Sequence, residues 1–152
     1  MNVIERIHQE ACRLGKTIVL PEGTDERVVK ATAIAKEKGL ARPILLGKKA
    51  EVEAVVQKTG TAAAAVEIID PEQDEQAEDY AASLYELRKK KGLTLEDAKT
   101  LVRDPMYYAT MMVKKGDADG YVGGIASTTA DTFRPALQII KTAPGIPLVS
   151  SA

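Results

Sequence analysis

The sequence predicts an α/β fold: three layers, α/β/α, around a mostly parallel sheet. Three observations carry this. Short apolar, largely β-branched runs at 17–20, 43–46 and 66–69 alternate with amphipathic helical stretches. Each run is closed by Gly, Pro or Asp. The runs are apolar almost throughout rather than alternating with polar residues, as expected of strands covered on both faces. Strands separated by helices make parallel β-α-β units with right-handed crossovers.

The first helix runs from Asn2 to Leu14, with Val3, Ile4, Ile7 and Ala11 at helical spacing. His8 reads as a surface or edge residue beside that stripe, and Cys12 as a small buried filler. After the first strand, Thr24 is the expected N-cap of a helix to Lys38, with Val28, Val29, Ala31, Ala33 and Ile34 facing inward and Gly39 as its stop. Beyond the second strand, Val52, Val55 and Val56 mark a short helix. From Asp74 to Lys91 a long helix carries Ala77, Tyr80, Ala81, Leu84, Tyr85 and Leu87 on its apolar side. Thr94 to Asp97 resembles a capping box and opens a helix to about Val102. Asp104-Pro105 starts another, with Asp as cap and Pro at the first helical position. It ends at Gly116, and its methionines read as core filler.

At 152 residues, 45% hydrophobic and 28% charged, the chain suits one domain with a core of its own. A formal net charge of −1 gives no electrostatic reason to bind nucleic acid or a membrane surface. No apolar run approaches the roughly 20 residues that cross a bilayer. One cysteine excludes an internal disulfide and agrees with a reducing, cytoplasmic setting, and one His with one Cys leaves no zinc ligand set.

Residues 120–135 concentrate the chemistry. A short strand (Tyr121, Val122) meets Gly123 and Gly124, then Ser127, Thr128 and Thr129, then a helix whose N-cap is expected at Asp131, with Arg134 in its opening turn and Pro135 tolerated there. Glycines let backbone N–H groups approach a ligand, hydroxyls donate, and a helix start favours negative charge, so a phosphate cradle is expected. The same residues also suit ordinary loop and capping chemistry. No dinucleotide or P-loop glycine pattern occurs. Residues 147–152 read as another apolar strand in which the chain stops, so the sequence reads as the front part of a longer protein.

Four blocks together resemble phosphate acetyltransferase: Leu20-Pro21-Glu22-Gly23-Thr24-Asp25-Glu26-Arg27, the Leu84 to Lys89 block, Asp104 to Met112, and Thr129 to Thr142. The likeness spans essentially the whole chain in order. It implies an enzyme that interconverts acetyl phosphate plus coenzyme A with acetyl-CoA plus phosphate, without a permanently bound cofactor or metal. It further implies a two-domain architecture of the isocitrate/isopropylmalate dehydrogenase type, commonly a homodimer, with the active site between the domains. Residues 1–144 would be the first domain and 145–152 the start of the crossing into the second.

The family's catalytic Ser-Arg pair and aspartate belong to a later segment, so no catalytic residue is expected here. Arg88 and Arg134 match family positions implicated in binding coenzyme A, whose phosphates suit a guanidinium fork. Read without the resemblance, Arg88 is a solvated helix charge near Glu86. The loop departs from the family, which commonly has serine where Gly123 stands and histidine where Ser127 stands. Rival readings are a phosphate butyryltransferase, a non-catalytic module that binds CoA or an acyl phosphate, and a structural oligomerisation domain.

Overall fold

The structure is a computed structural model and describes residues 2–149. Strands β1 (Thr17–Leu20), β2 (Arg42–Leu46), β3 (Glu67–Ile69) and β4 (Gly120–Tyr121) form one parallel sheet in the order β3-β2-β1-β4. Val19 lies opposite Ile44 and Leu20 opposite Leu45, while Leu45 and Leu46 face Ile68 and Ile69. Because side chains alternate along a strand, this register sorts the apolar residues into two layers. Val19, Ile44 and Leu46 join one cluster with helices α4 (Gln76–Arg88), α5 (Leu95–Leu101) and α6 (Pro105–Lys115). Leu45, with Leu20 and Ile68, joins the other with α2 (Glu26–Glu37) and α3 (Lys49–Lys58). The expected three-layer arrangement is therefore present.

Helix α6 is the pillar of the larger layer. Asp104 accepts the N–H groups of Met106 and Tyr107, Pro105 occupies the first position, and Gly116 ends the helix in the left-handed conformation, as the sequence predicts. Every residue from Met106 to Met112 is buried. Tyr108 meets Tyr80 of α4 edge to face, with ring centroids 5.0 Å apart, and the Tyr80 hydroxyl donates to Asp117 at 2.6 Å. Burial pushes both phenols well above their ordinary range, and their carboxylate neighbours add to it. Each large side chain removed from water here contributes about 1.5–3 kcal/mol.

Several expectations are corrected. Cys12 is exposed, its thiol donating to the Lys38 carbonyl, because α1 (Val3–Leu14) buries none of its residues. Val3, Ile4 and Ile7 are 68%, 59% and 56% exposed. Helix α1 is stabilised instead by a capping box between Asn2 and Glu5. On α2 the buried face is Val28, Val29 and Thr32, whereas Ala31 and Ile34 are exposed. Thr32 can be buried because its hydroxyl donates to the Val28 carbonyl at 2.8 Å. The cap of α2 is Asp25, not Thr24, since the Asp25 carboxylate accepts the Arg27 N–H and pairs with its guanidinium. Helix α4 begins at Gln76 and gives way to a 3-10 turn at Lys89–Lys91, so it is shorter at both ends than predicted, and Leu87 is exposed.

Residues 147–149 pair with no strand among the described residues. The remainder of the strand expected from 147 to 152 lies outside the described residues. No described helix is long and apolar enough to cross a membrane.

The topology fixes where a ligand belongs. From β1 the chain moves through β2 to β3 on one side, then returns to β4 on the other side of β1. Strand order reverses between β1 and β4, and in open parallel sheets the crevice beyond the carboxyl ends of such strands is the binding place.

Candidate functional site

Two segments meet at that crevice. Beyond β1, Pro21-Glu22-Gly23 turns back over the sheet, the Gly23 N–H donating to the Leu46 carbonyl at 3.0 Å. Only glycine fits at 23, because a Cβ would lie 2.5 Å from the Leu46 oxygen. Beyond β4, the loop 122–128 leads to α7 (Thr129–Pro135).

The loop gathers its backbone donors around an anion, and that anion is Glu22. Its Oε2 accepts the N–H groups of Gly124 and Ile125 at 2.9 and 3.0 Å, and its Oε1 those of Ala126 and Ser127 at 2.9 and 2.8 Å. Partial burial opposes ionisation of Glu22, but the backbone donors and the Ser127 hydroxyl outweigh it and hold the carboxyl below its ordinary pKa. The backbone donors that the sequence offers to a phosphate are occupied by a carboxylate of the chain itself.

The start of α7 differs from expectation. Thr128, not Asp131, is the cap: its oxygen accepts the Asp131 N–H at 3.1 Å while its hydroxyl donates to the Asp131 carboxylate at 2.7 Å. Threonine wins because capping there leaves Asp131 in the first turn, where a carboxylate suits the helix's positive end. Arg134 consequently lies in the last turn rather than the first, and Pro135 falls beyond the first turn, where it interrupts the hydrogen-bond ladder. The chain continues as a π turn at Ala136–Ile140.

Arg134 is 54% exposed and touches Asp131 at 3.3 Å, an i,i+3 pair open to solvent that leaves the guanidinium available. Arg88 closes α4, half-buried, with no ion pair or side-chain hydrogen bond among the described residues. Glu86, the neighbour that would make Arg88 an ordinary surface charge, pairs with Lys89 instead at 2.5 Å. Tyr107 lies within electrostatic reach of both arginines. Burial raises its phenol pKa, and the charges of Arg134 and Arg88 both act against that shift. The Tyr107 hydroxyl donates to Gln138 of the π turn at 2.9 Å, tying α6 to the segment that follows Arg134.

Sequence reading missed Glu22 and Tyr107. The signal for Glu22 was its place beside the strand that neighbours β4. Gly123 also acquires a reason, since a Cβ there would sit 3.1 Å from Met106 Cε and from Pro21 Cγ. The Met106 thioether fills the space that a serine side chain would need.

Two hollows compete for notice. A cavity of about 240 Å³ at the ends of β1 to β3 is lined by Pro21, Gly47, Lys48, Asp70 and Arg103, but Arg103 is spent on the Pro71 and Glu72 carbonyls and on Glu78. A groove of about 450 Å³ between α4 and α6 includes Lys115, which is tied to Asp79 and Ser83, and takes no residue from the strand-end loops.

A parallel sheet with helices packed on both faces, and a loop of backbone donors at its switch point, defines a three-layer α/β domain. More narrowly, residues 2–152 match the family "Phosphate acetyl/butaryl transferase", and the chain belongs to it. Phosphate acetyltransferase of Acetivibrio thermocellus is 49% identical over 151 residues, covering 99% of this chain and 45% of the relative. The enzyme of that name from Escherichia coli is 47% identical over 142 residues, covering 93% of this chain and 20% of the relative. A crystal structure of a phosphotransacetylase from Streptococcus pyogenes superposes with a TM-score of 0.90 at 43% identity, over 97% of this chain and 46% of that one. The chain thus spans about half the length of the first of these relatives, and less of the other.

Proposed function

We propose that the full-length protein is a phosphate acetyltransferase, moving an acetyl group between acetyl phosphate and coenzyme A, and that residues 1–144 form the first domain of a two-domain enzyme of the isocitrate/isopropylmalate dehydrogenase type. The observation that carries this is the match of residues 2–152 to the phosphate acetyl/butaryl transferase family, with Arg134 open to solvent on α7 and Arg88 unpaired among the described residues. A guanidinium left without a carboxylate, as in Arg88, or held only in a solvent-open pair, as in Arg134, is fitted to the phosphates of coenzyme A. The relatives' names support the same reading.

In this reading the CoA thiolate attacks the acyl carbon, the carbon–oxygen bond to phosphate breaks, and phosphate leaves with the electron pair. A base must take the thiol proton, and cationic donors must meet the charge on the leaving group. Arg88 and Arg134 hold coenzyme A. Ser127, Thr128 and Thr129 line the phosphate side. The Thr129 hydroxyl is uncommitted among the described residues, while Thr128 contributes by exchanging its bond to Asp131 and Ser127 its bond to Glu22. The N–H groups of residues 124–127 are occupied by Glu22. The base and the remaining donors come from later in the chain, which supplies the second domain. The protein acts as a cytoplasmic homodimer with coenzyme A as substrate, and needs no metal or resident cofactor. The exposure of Val122, Leu137, Ile146 and Leu148, all beyond β4, supports packing of further chain against this part of the molecule.

The test is thioester formation by the full-length protein from coenzyme A with acetyl or butyryl phosphate. Faster turnover of acetyl phosphate is expected. Preference for butyryl phosphate would reassign the acyl group within the family, and tight binding of both substrates without turnover would reduce the protein to a binding module.

A further inference from the structure

We infer that Glu22 is a positioning residue for the phosphate half of the site. Its carboxylate is the internal anion on which the β4–α7 loop is folded, so that an incoming phosphate meets the outer rim of the loop, where the Thr129 hydroxyl is uncommitted among the described residues, rather than the loop's own N–H groups. This rests on the acyl-transfer reading above.

Four consecutive N–H groups, two on each oxygen, converge on one carboxylate more than 100 residues away in sequence, at 2.8–3.0 Å. Such a run of donors is an anion nest, and without a partner its N–H groups would repel one another. Glu22 is held from both sides and is poorly placed to be expelled. Gly23 is locked under the Leu46 carbonyl, and Pro21 lies so near Gly123 that a Cβ there would sit 3.1 Å from its ring. The loop shape therefore depends on Glu22, and Thr128, which caps α7, depends on the loop. Arg134 is anchored separately: Pro135 and Ile139 are buried, and Gln138 is bound by Tyr107. Loss of the carboxylate is then felt by the hydroxyl residues before it is felt by Arg134.

The experiment measures steady-state kinetics of the full-length protein, wild type against Glu22→Gln and Glu22→Asp, with acetyl phosphate and coenzyme A varied in turn. Amide hydrogen exchange over 122–128 is followed on the same proteins. A glutamine side chain keeps an acceptor for two of the N–H groups and turns a donor toward the other two. For Glu22→Gln, KM for acetyl phosphate is expected to rise about tenfold, as loss of a charge-assisted contact implies. KM for coenzyme A should stay within about twofold, and exchange should quicken within 122–128. Glu22→Asp keeps the charge on a shorter arm and should recover much of the loss.

Unchanged KM values in Glu22→Gln, a parallel rise in both, or activity lost only in proportion to folded protein would each overturn the inference and leave the enzyme reading intact. A wild-type protein that forms no thioester would overturn both.

Discussion

Helices α6 and α7 border the same crevice, and both open on a side-chain cap and contain a proline, yet they are built for opposite purposes. In α6 the proline stands at the first position, where its missing N–H would have had no partner, and the helix runs buried to a glycine stop. In α7 Pro135 stands seven residues in, breaks the ladder, and hands the chain to a π turn that ends at Lys141 with φ 66°. One helix is inserted into the core on all sides; the other buries only Pro135 and presents Arg134 to solvent. The contrast teaches that the packed element is specified by its own residues. The site-bearing element is specified by contacts from far away in sequence.

The largest expected effect falls on the packed side. Tyr108→Ala removes a fully buried ring and its edge-to-face partner, and should cost about 4 kcal/mol of unfolding free energy by denaturant titration. It should leave coenzyme A affinity of the folded protein unchanged, and a specific loss of affinity would blur the division between the helices. Next comes Gly23→Ala, which forces a Cβ against a backbone carbonyl and should cost about 3 kcal/mol while also disturbing Glu22. Thr128→Ala removes the cap of α7 and should cost about 1 kcal/mol.

The smallest effect is one of pH. Because the native pKa of Glu22 lies below its ordinary 4.5, its contribution is complete above that value and disappears as pH falls through the lowered native one. Arg27, whose charge faces Glu22, stays protonated throughout. Wild type should therefore lose stability to acid more steeply than Glu22→Gln below pH 4.5. Asp25, held down to about 2 chiefly by its hydrogen bond with the Arg27 guanidinium, contributes equally to both proteins. Superimposable acid profiles would deny Glu22 its ionised role.

The sheet was legible because its strands are short, apolar and punctuated, so β1 to β3 were placed within a residue or so. Helix α6 was legible because Asp-Pro and Gly are local signals at its two ends. What escaped was whatever depends on a distant partner. The stripe of α1 marks a helix but cannot say whether anything covers it, and among the described residues Val3, Ile4 and Ile7 stay exposed. Neighbouring residues of similar capping power, Thr24 with Asp25 and Thr128 with Asp131, are decided by tertiary geometry rather than by type. Glu22 carries no local mark of its task, since its partners lie more than 100 residues on. The loop's backbone donors were visible in its glycines; the carboxylate that occupies them was not.

The central claim is that Arg88 and Arg134 grip one phosphorylated ligand. It is tested most directly by titrating coenzyme A into the full-length protein and its Arg88→Ala and Arg134→Ala variants by calorimetry. Each variant should bind about 10- to 100-fold more weakly, the loss of one charge-assisted contact, with folding unchanged. Dissociation constants equal to the wild type in both variants would contradict it.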